Sequence, residues 1–145
     1  YGSYALAEGA DPKTAKVGGA DNEVKVDFIY EPPQAGDETR FELLDTDEAA
    51  AELERVEALA GMLGVRRVGL VFSHPPREAG FQFSGEEVIT AGELQLEAAE
   101  GVEDTPFVTV KATVNDEGGT VFDAFQVRRV LGGGAGRWRR FDDDI

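Results

Sequence analysis

Cysteine is absent from the 145-residue chain, and histidine, methionine and tryptophan occur once each. Without cysteine there is no disulfide, no thiol nucleophile and no cysteine-ligated zinc. The absence is compatible with a reducing compartment. A lone histidine, His74, excludes any metal site that needs two imidazoles. Basic residues are scarce too: 14 lysines and arginines face 29 acidic residues, for a formal net charge of −15. Nucleic-acid phosphates need clustered Lys and Arg, so no DNA- or RNA-binding surface is expected. No segment approaches the run of about 18 apolar residues that spans a membrane, so no membrane insertion is expected. The opening YGSYALAEG has neither a basic n-region nor a long apolar stretch, unlike a signal peptide. It lacks an initiating methionine and already reads as strand, so the chain is expected to begin inside a domain.

What is present is ordinary globular material, 41% hydrophobic and 30% charged, in a length that suits one domain. Residues 1–7 read as a short strand and 8–23 as a loop. In EVKVDFIY (23–30), Val24, Val26, Phe28 and Tyr30 share one face, the pattern of a half-buried strand that Pro32 and Pro33 end. DTDEAAAELERVEALAGMLG (45–64) is a helix with an Ala49, Leu53, Val56, Ala60, Leu63 stripe. An Asp45–Glu48 capping box opens it and Gly64 closes it. VRRVGLVF (65–72) follows at once and ends in an apolar run expected of a central strand buried on both faces, which gives a βαβ-like crossover.

SGEEVITAGELQLEAA (84–99) is a second helix, with Ser84 and Glu87 at capping-box spacing. FVTVKATV (107–114) and TVFDAFQVRRV (120–130) alternate at period two around the hairpin loop NDEGG. The remainder, 131–145, is glycine-rich and charged and reads as a disordered tail. The expected fold class is therefore α/β (α+β): a mixed β-sheet flanked by helices over 1–130.

Three constellations invite chemistry. The glycines at 132–136 follow a strand as a phosphate loop would, but neither nucleotide-binding spacing is present. Ser84 and His74 could form part of a nucleophilic triad, yet the serine is better used as a helix cap and no G-x-S-x-G elbow exists. The stretch GLVFSHPPREAGFQFSGEEV (69–88) has the more telling outline. A histidine at a strand end, a loop, then a serine and an acid opening a helix resembles the JAMM metalloprotease layout, H-x-H-x(7)-S-x-x-D. There, two alternating histidines and an aspartate hold zinc with one position left open for water. The matching positions here are Phe72, His74, Ser84 and Glu87. One imidazole has become phenyl, the acid is longer by a methylene, and the loop is two residues longer. No catalytic residue, metal or cofactor is expected.

FIYEPPQ (28–34), LGVRRVGLVFSHPPRE (63–78), FSGEEVITAGELQ (83–95), FVTVKAT (107–113) and FDAFQV (122–127), in this order, resemble the MPN-domain region of the nuclear protein localisation protein four family. The resemblance runs from Tyr1 to about Val130 and leaves out the tail. It implies an MPN/JAB-like fold, incomplete at both ends, that is catalytically dead. It implies a heterodimer with a Ufd-type subunit that recruits polyubiquitinated proteins to the AAA unfoldase of the Cdc/valosin-containing-protein type. Such a protein is expected in cytoplasm and nucleus, reaching the endoplasmic reticulum membrane through partners. The family's ATPase-docking ubiquitin-like domain, zinc fingers and C-terminal domain are not in this sequence, so ATPase contact is expected through other regions.

An MPN scaffold of a proteasome lid, signalosome or initiation-factor complex is the alternative, and an active JAMM isopeptidase a distant third. Candidate contact residues for ubiquitin or polyubiquitin are the strand exit Tyr30, Glu31, Pro32, Pro33 and Gln34, with His74 and Pro75 at the mouth of the dead site. Each proline is equally well explained as stiffening a turn.

Overall fold

Alternating β-branched and aromatic residues pair into strands, and two acid-led amphipathic segments coil into helices, in the computed structural model. It describes residues 1–6, 8–9, 23–38, 40–78, 80–99, 105–128 and 137–140. The order is β1 (Gly2–Ala5), β2 (Glu23–Val26), β3 (Gln34–Gly36), β4 (Phe41–Leu43), α1 (Asp47–Leu63), β5 (Gly69–Ser73), α2 (Gly85–Ala98), β6 (Val108–Val114), β7 (Thr120–Arg128) and β8 (Arg137–Arg140). The expected α+β fold is present.

The main sheet runs β5-β6-β7-β8, with β5 parallel to β6 and the other neighbours antiparallel. A parallel pair needs a long return, and α2 supplies it. The crossover therefore passes through α2 and not through α1, as the short α1–β5 junction had suggested. β5 is also an edge strand of this sheet rather than a central one, and Val71 is 46% exposed. Its apolar run is satisfied one-sidedly: Phe72 turns inward while Val71 and Ser73 face out. Residues 65–68 do not extend the strand, because Arg66 bridges Gly2 at the start of β1.

β1 and β2 pair antiparallel as a separate ribbon, and β2 ends four residues earlier than the alternation to Tyr30 suggests. Beyond Val26 the backbone N–H groups of Asp27 and Phe28 both turn to the Tyr1 carbonyl. The β3–β4 hairpin was not expected from the sequence. It lies just after Pro32-Pro33, where Gln34, Ala35 and Gly36 pair with Leu43, Glu42 and Phe41. β8 falls inside the segment read as a disordered tail. Arg137–Arg140 pairs with Phe125–Arg128, and its tryptophan is of a residue type favoured in strands. The other tail residues, with the glycines at 132–136, lie outside the described residues.

Both helices are capped, one of them a residue away from expectation. Thr46, not Asp45, is the N-cap of α1, with extended backbone and its hydroxyl accepting the Ala49 N–H at 3.2 Å. Gly64 closes the helix in the left-handed conformation that glycine adopts at no steric cost. The expected stripe holds at Ala60, which is buried, but has rotated into solvent by Leu63, 61% exposed. On α2, Ser84 and Glu87 form the reciprocal capping box.

The core gathers Val68, Phe72, Ala91, Phe107, Val108 and Phe125 between α2 and the sheet. Each large side chain removed from water contributes about 1.5–3 kcal/mol. Two glutamines close the polar gap where β6 begins. The Gln95 amide donates to the Val127 carbonyl and accepts its N–H, while the Gln126 amide donates to the carbonyls of Thr105 and Phe107. Buried backbone groups at the strand start thus keep partners.

Candidate functional site

The outline traced from β5 to α2 survives as a place in the fold. Phe72, 8% exposed, projects from β5 into an aromatic row. Its ring stacks on Phe41 of β4 at 5.3 Å and meets Phe83 at 6.0 Å, and Phe83 in turn sets its edge against Phe125 at 4.7 Å. Lys111 crosses β6 beneath this row. Its ammonium lies 5.1 Å from the Phe83 ring centre and donates to Gln82 Oε1 at 2.7 Å. The first ligand position of the metal layout is thus filled with packed hydrocarbon.

At the other corner, Ser84 and Glu87 do what helix starts require. The Ser84 hydroxyl accepts the Glu87 N–H at 3.1 Å, and Glu87 Oε2 accepts the Ser84 N–H at 2.9 Å. A residue that sequence reasoning missed completes the arrangement. Arg77, from the loop after His74, donates Nη1 to Glu87 Oε2 at 2.8 Å and Nη2 to Oε1 at 2.6 Å. The two side chains are 8% and 2% exposed, so this is a buried fork-on-fork pair. Nη2 also donates to the Glu38 carbonyl at 2.7 Å, in the turn between β3 and β4, and the guanidinium lies 5.1 Å from the Phe81 ring centre. The hydrogen bonds to Glu87 raise the Arg77 pKa above its ordinary value, outweighing desolvation.

His74 points elsewhere. Its Nδ1 is 2.7 Å from the Pro75 carbonyl oxygen, which accepts, and its buried Nε2 has no hydrogen-bond partner among the described residues. The ring tilts against Phe72 at 6.4 Å. Ser84 has no bond to His74 among the described residues, so the two do not assemble as part of a triad. These residues do not fit a metal ion of the JAMM type. Phe72 offers no lone pair, and both oxygens of Glu87 are engaged by the guanidinium. Among the described residues no three His, Cys, Asp or Glu side chains converge.

The candidate contact residues divide between two places. Tyr30 donates its hydroxyl to Glu52 of α1 at 3.0 Å, and Gln34 donates to Glu31 at 3.3 Å. The Pro33 carbonyl accepts the Leu44 N–H, which closes the base of the β3–β4 hairpin. No hydrogen bond joins 30–34 to His74 or Pro75 among the described residues. The hairpin that begins at Gln34 nevertheless leans on the β5–α2 junction, through Phe41 on Phe72 and the Glu38 carbonyl on Arg77.

Residues 22–130 match the family model described as the NPL4 family. The chain is 44% identical over 115 residues to an NPL4-like protein of Oryza sativa subsp. japonica, covering 74% of this chain and 26% of that protein. It is 38% identical over 108 residues to a Nuclear protein localization protein 4 homolog of Dictyostelium discoideum, covering 74% and 17% respectively. The Homo sapiens protein of the same name is 32% identical over 123 residues, covering 71% and 20%. The chain thus spans about a quarter, or less, of the length of these relatives.

Proposed function

The chain belongs to the NPL4 family, and from that premise we propose that it is a non-catalytic MPN-type scaffold within a ubiquitin-binding cofactor. The cofactor pairs with a Ufd-type subunit and brings polyubiquitinated proteins to an AAA unfoldase for extraction and degradation. It works in cytoplasm and nucleus, and at the endoplasmic reticulum membrane through its partners. The non-catalytic half of this reading rests on the Arg77 fork across both Glu87 oxygens, beside a buried phenyl ring at the first ligand position. A site so filled has no place to hold and polarise water.

We assign the ubiquitin-contacting half to the strand exit Tyr30–Gln34, which runs into β3, and to His74 and Pro75 after β5. Co-precipitation of the full-length protein with ubiquitin chains tests it. Tyr30→Ala and His74→Ala are expected to lower the chain retained while leaving the melting temperature within a few degrees. Undiminished retention by both variants would remove these positions. Failure of the wild-type protein to retain chains or a Ufd-type subunit would remove the reading itself and favour a scaffold of another MPN assembly.

A further inference from the structure

The ion pair at Glu87 joins more than two side chains. Arg77 sits in the loop between β5 and α2, Glu87 in the first turn of α2, and Glu38 in the turn of the β3–β4 hairpin. One guanidinium, 8% exposed, ties its own loop to the other two segments, with donor–acceptor distances of 2.6 and 2.8 Å to Glu87 and 2.7 Å to the Glu38 carbonyl. A planar fork with several donors can do this, whereas an ammonium is a point charge without fixed donor directions. The hairpin itself is short, three residues a strand, and a two-stranded ribbon of that size is not stable alone in water. Its fixed position therefore needs ties to the body. Among the described residues the Phe41–Phe72 stack is one such tie, and the Glu38 carbonyl on Arg77 is another.

We propose that Arg77 is a resident cation on the carboxylate that the JAMM layout would give to a metal ion, and that it works as a positioning residue for the β3–β4 hairpin. A metal gathers ligands from separate segments through one centre of positive charge. Here the guanidinium compensates the buried Glu87 carboxylate and, through its remaining donor capacity, locks the hairpin over the aromatic row. The carboxylate of the layout thus serves a strut. Glu87 is retained for the strut and for the helix cap.

Hydrogen–deuterium exchange on the full-length protein tests this. Removing Arg77 alone leaves a buried carboxylate without its counter-charge and risks unfolding. The double variant Arg77→Met/Glu87→Leu removes both charges at similar volume. In it, exchange over residues 34–43 is expected to be roughly tenfold faster while β6 and β7 keep wild-type protection. Arg77→Gly supplies the second arm. Millimolar guanidinium is expected to restore hairpin protection, and sodium chloride at the same concentration is not. Wild-type exchange over 34–43 in the double variant would overturn the proposal. So would a folded Arg77→Gly variant in which guanidinium does no more than sodium chloride. If Arg77→Gly does not fold, the double variant decides alone.

Discussion

At the scale of single residues, environment sets what each side chain can do. Phe72 and Arg77 are five positions apart in sequence and meet two different needs of the β5–α2 junction, packed hydrocarbon in one case and a counter-charge for Glu87 in the other. Only the first was legible in the sequence. Phe72 stands at a spacing that calls for histidine, so its presence is informative by itself. Arg77 has no such spacing, because a long flexible cation finds its carboxylate in space and not at a fixed offset. Titration at single residues offers a separate check. Burial raises the Tyr4 phenol from its ordinary 10 to about 12, against a smaller opposing effect of Arg66. A pKa raised on folding contributes stability that is intact below pH 10 and is lost as pH climbs toward 12. Thermal or urea unfolding is therefore expected to show falling stability across that alkaline window, with a shallower fall in Tyr4→Phe. Tyr1 and Tyr30, also raised mainly by burial, keep part of the slope. Identical slopes in wild type and variant would contradict the assignment to Tyr4.

At the scale of elements, the helices were the easiest part to read and the small hairpin the hardest. Period and capping chemistry are local, so both helices appear close to their expected limits, with Thr46 displacing Asp45 because a hydroxyl one residue on reaches Ala49. The β6–β7 hairpin was likewise local, signalled by NDEGG. Strand position within a sheet is not local. β5 looked central because Gly69, Leu70, Val71 and Phe72 are all apolar, yet it lies at an edge and shows Val71 to solvent. The β3–β4 pair escaped notice because Pro-Pro marks an ending, and the three-residue strands after it are too short to show a period. One expectation tests the parallel junction directly. A β-carbon at Gly69 would collide with the carbonyl oxygen of Val108, its register partner. Gly69→Ala is expected to lower the melting temperature by several degrees, the size of a backbone shift costing about 1–3 kcal/mol. Ala at exposed Gly61 of α1, where an added β-carbon meets nothing within 4 Å, is the control and is expected to hold or raise it. Equal effects at both positions would mean that β5 and β6 do not approach as described.

At the scale of the whole molecule, an acidic composition accompanies an aromatic row packed at the β5–α2 junction. The net charge of −15 is opposite in sign to the basic clusters that nucleic-acid phosphates need. The family could be read from dispersed motifs, since IYEPPQ, the VRRVG strand entry and the SGEE helix start occur in order. Partner contacts could not, because binding surfaces need no fixed spacing. The central claim joins the two halves, chain binding without chain cleavage. Its most direct test is one incubation of full-length protein with polyubiquitin and stoichiometric zinc, read by co-precipitation and gel. Chains are expected to be retained and to stay at full length for as long as the mixture is held. Chains shortened to monomer by a process that a chelator stops would contradict that claim.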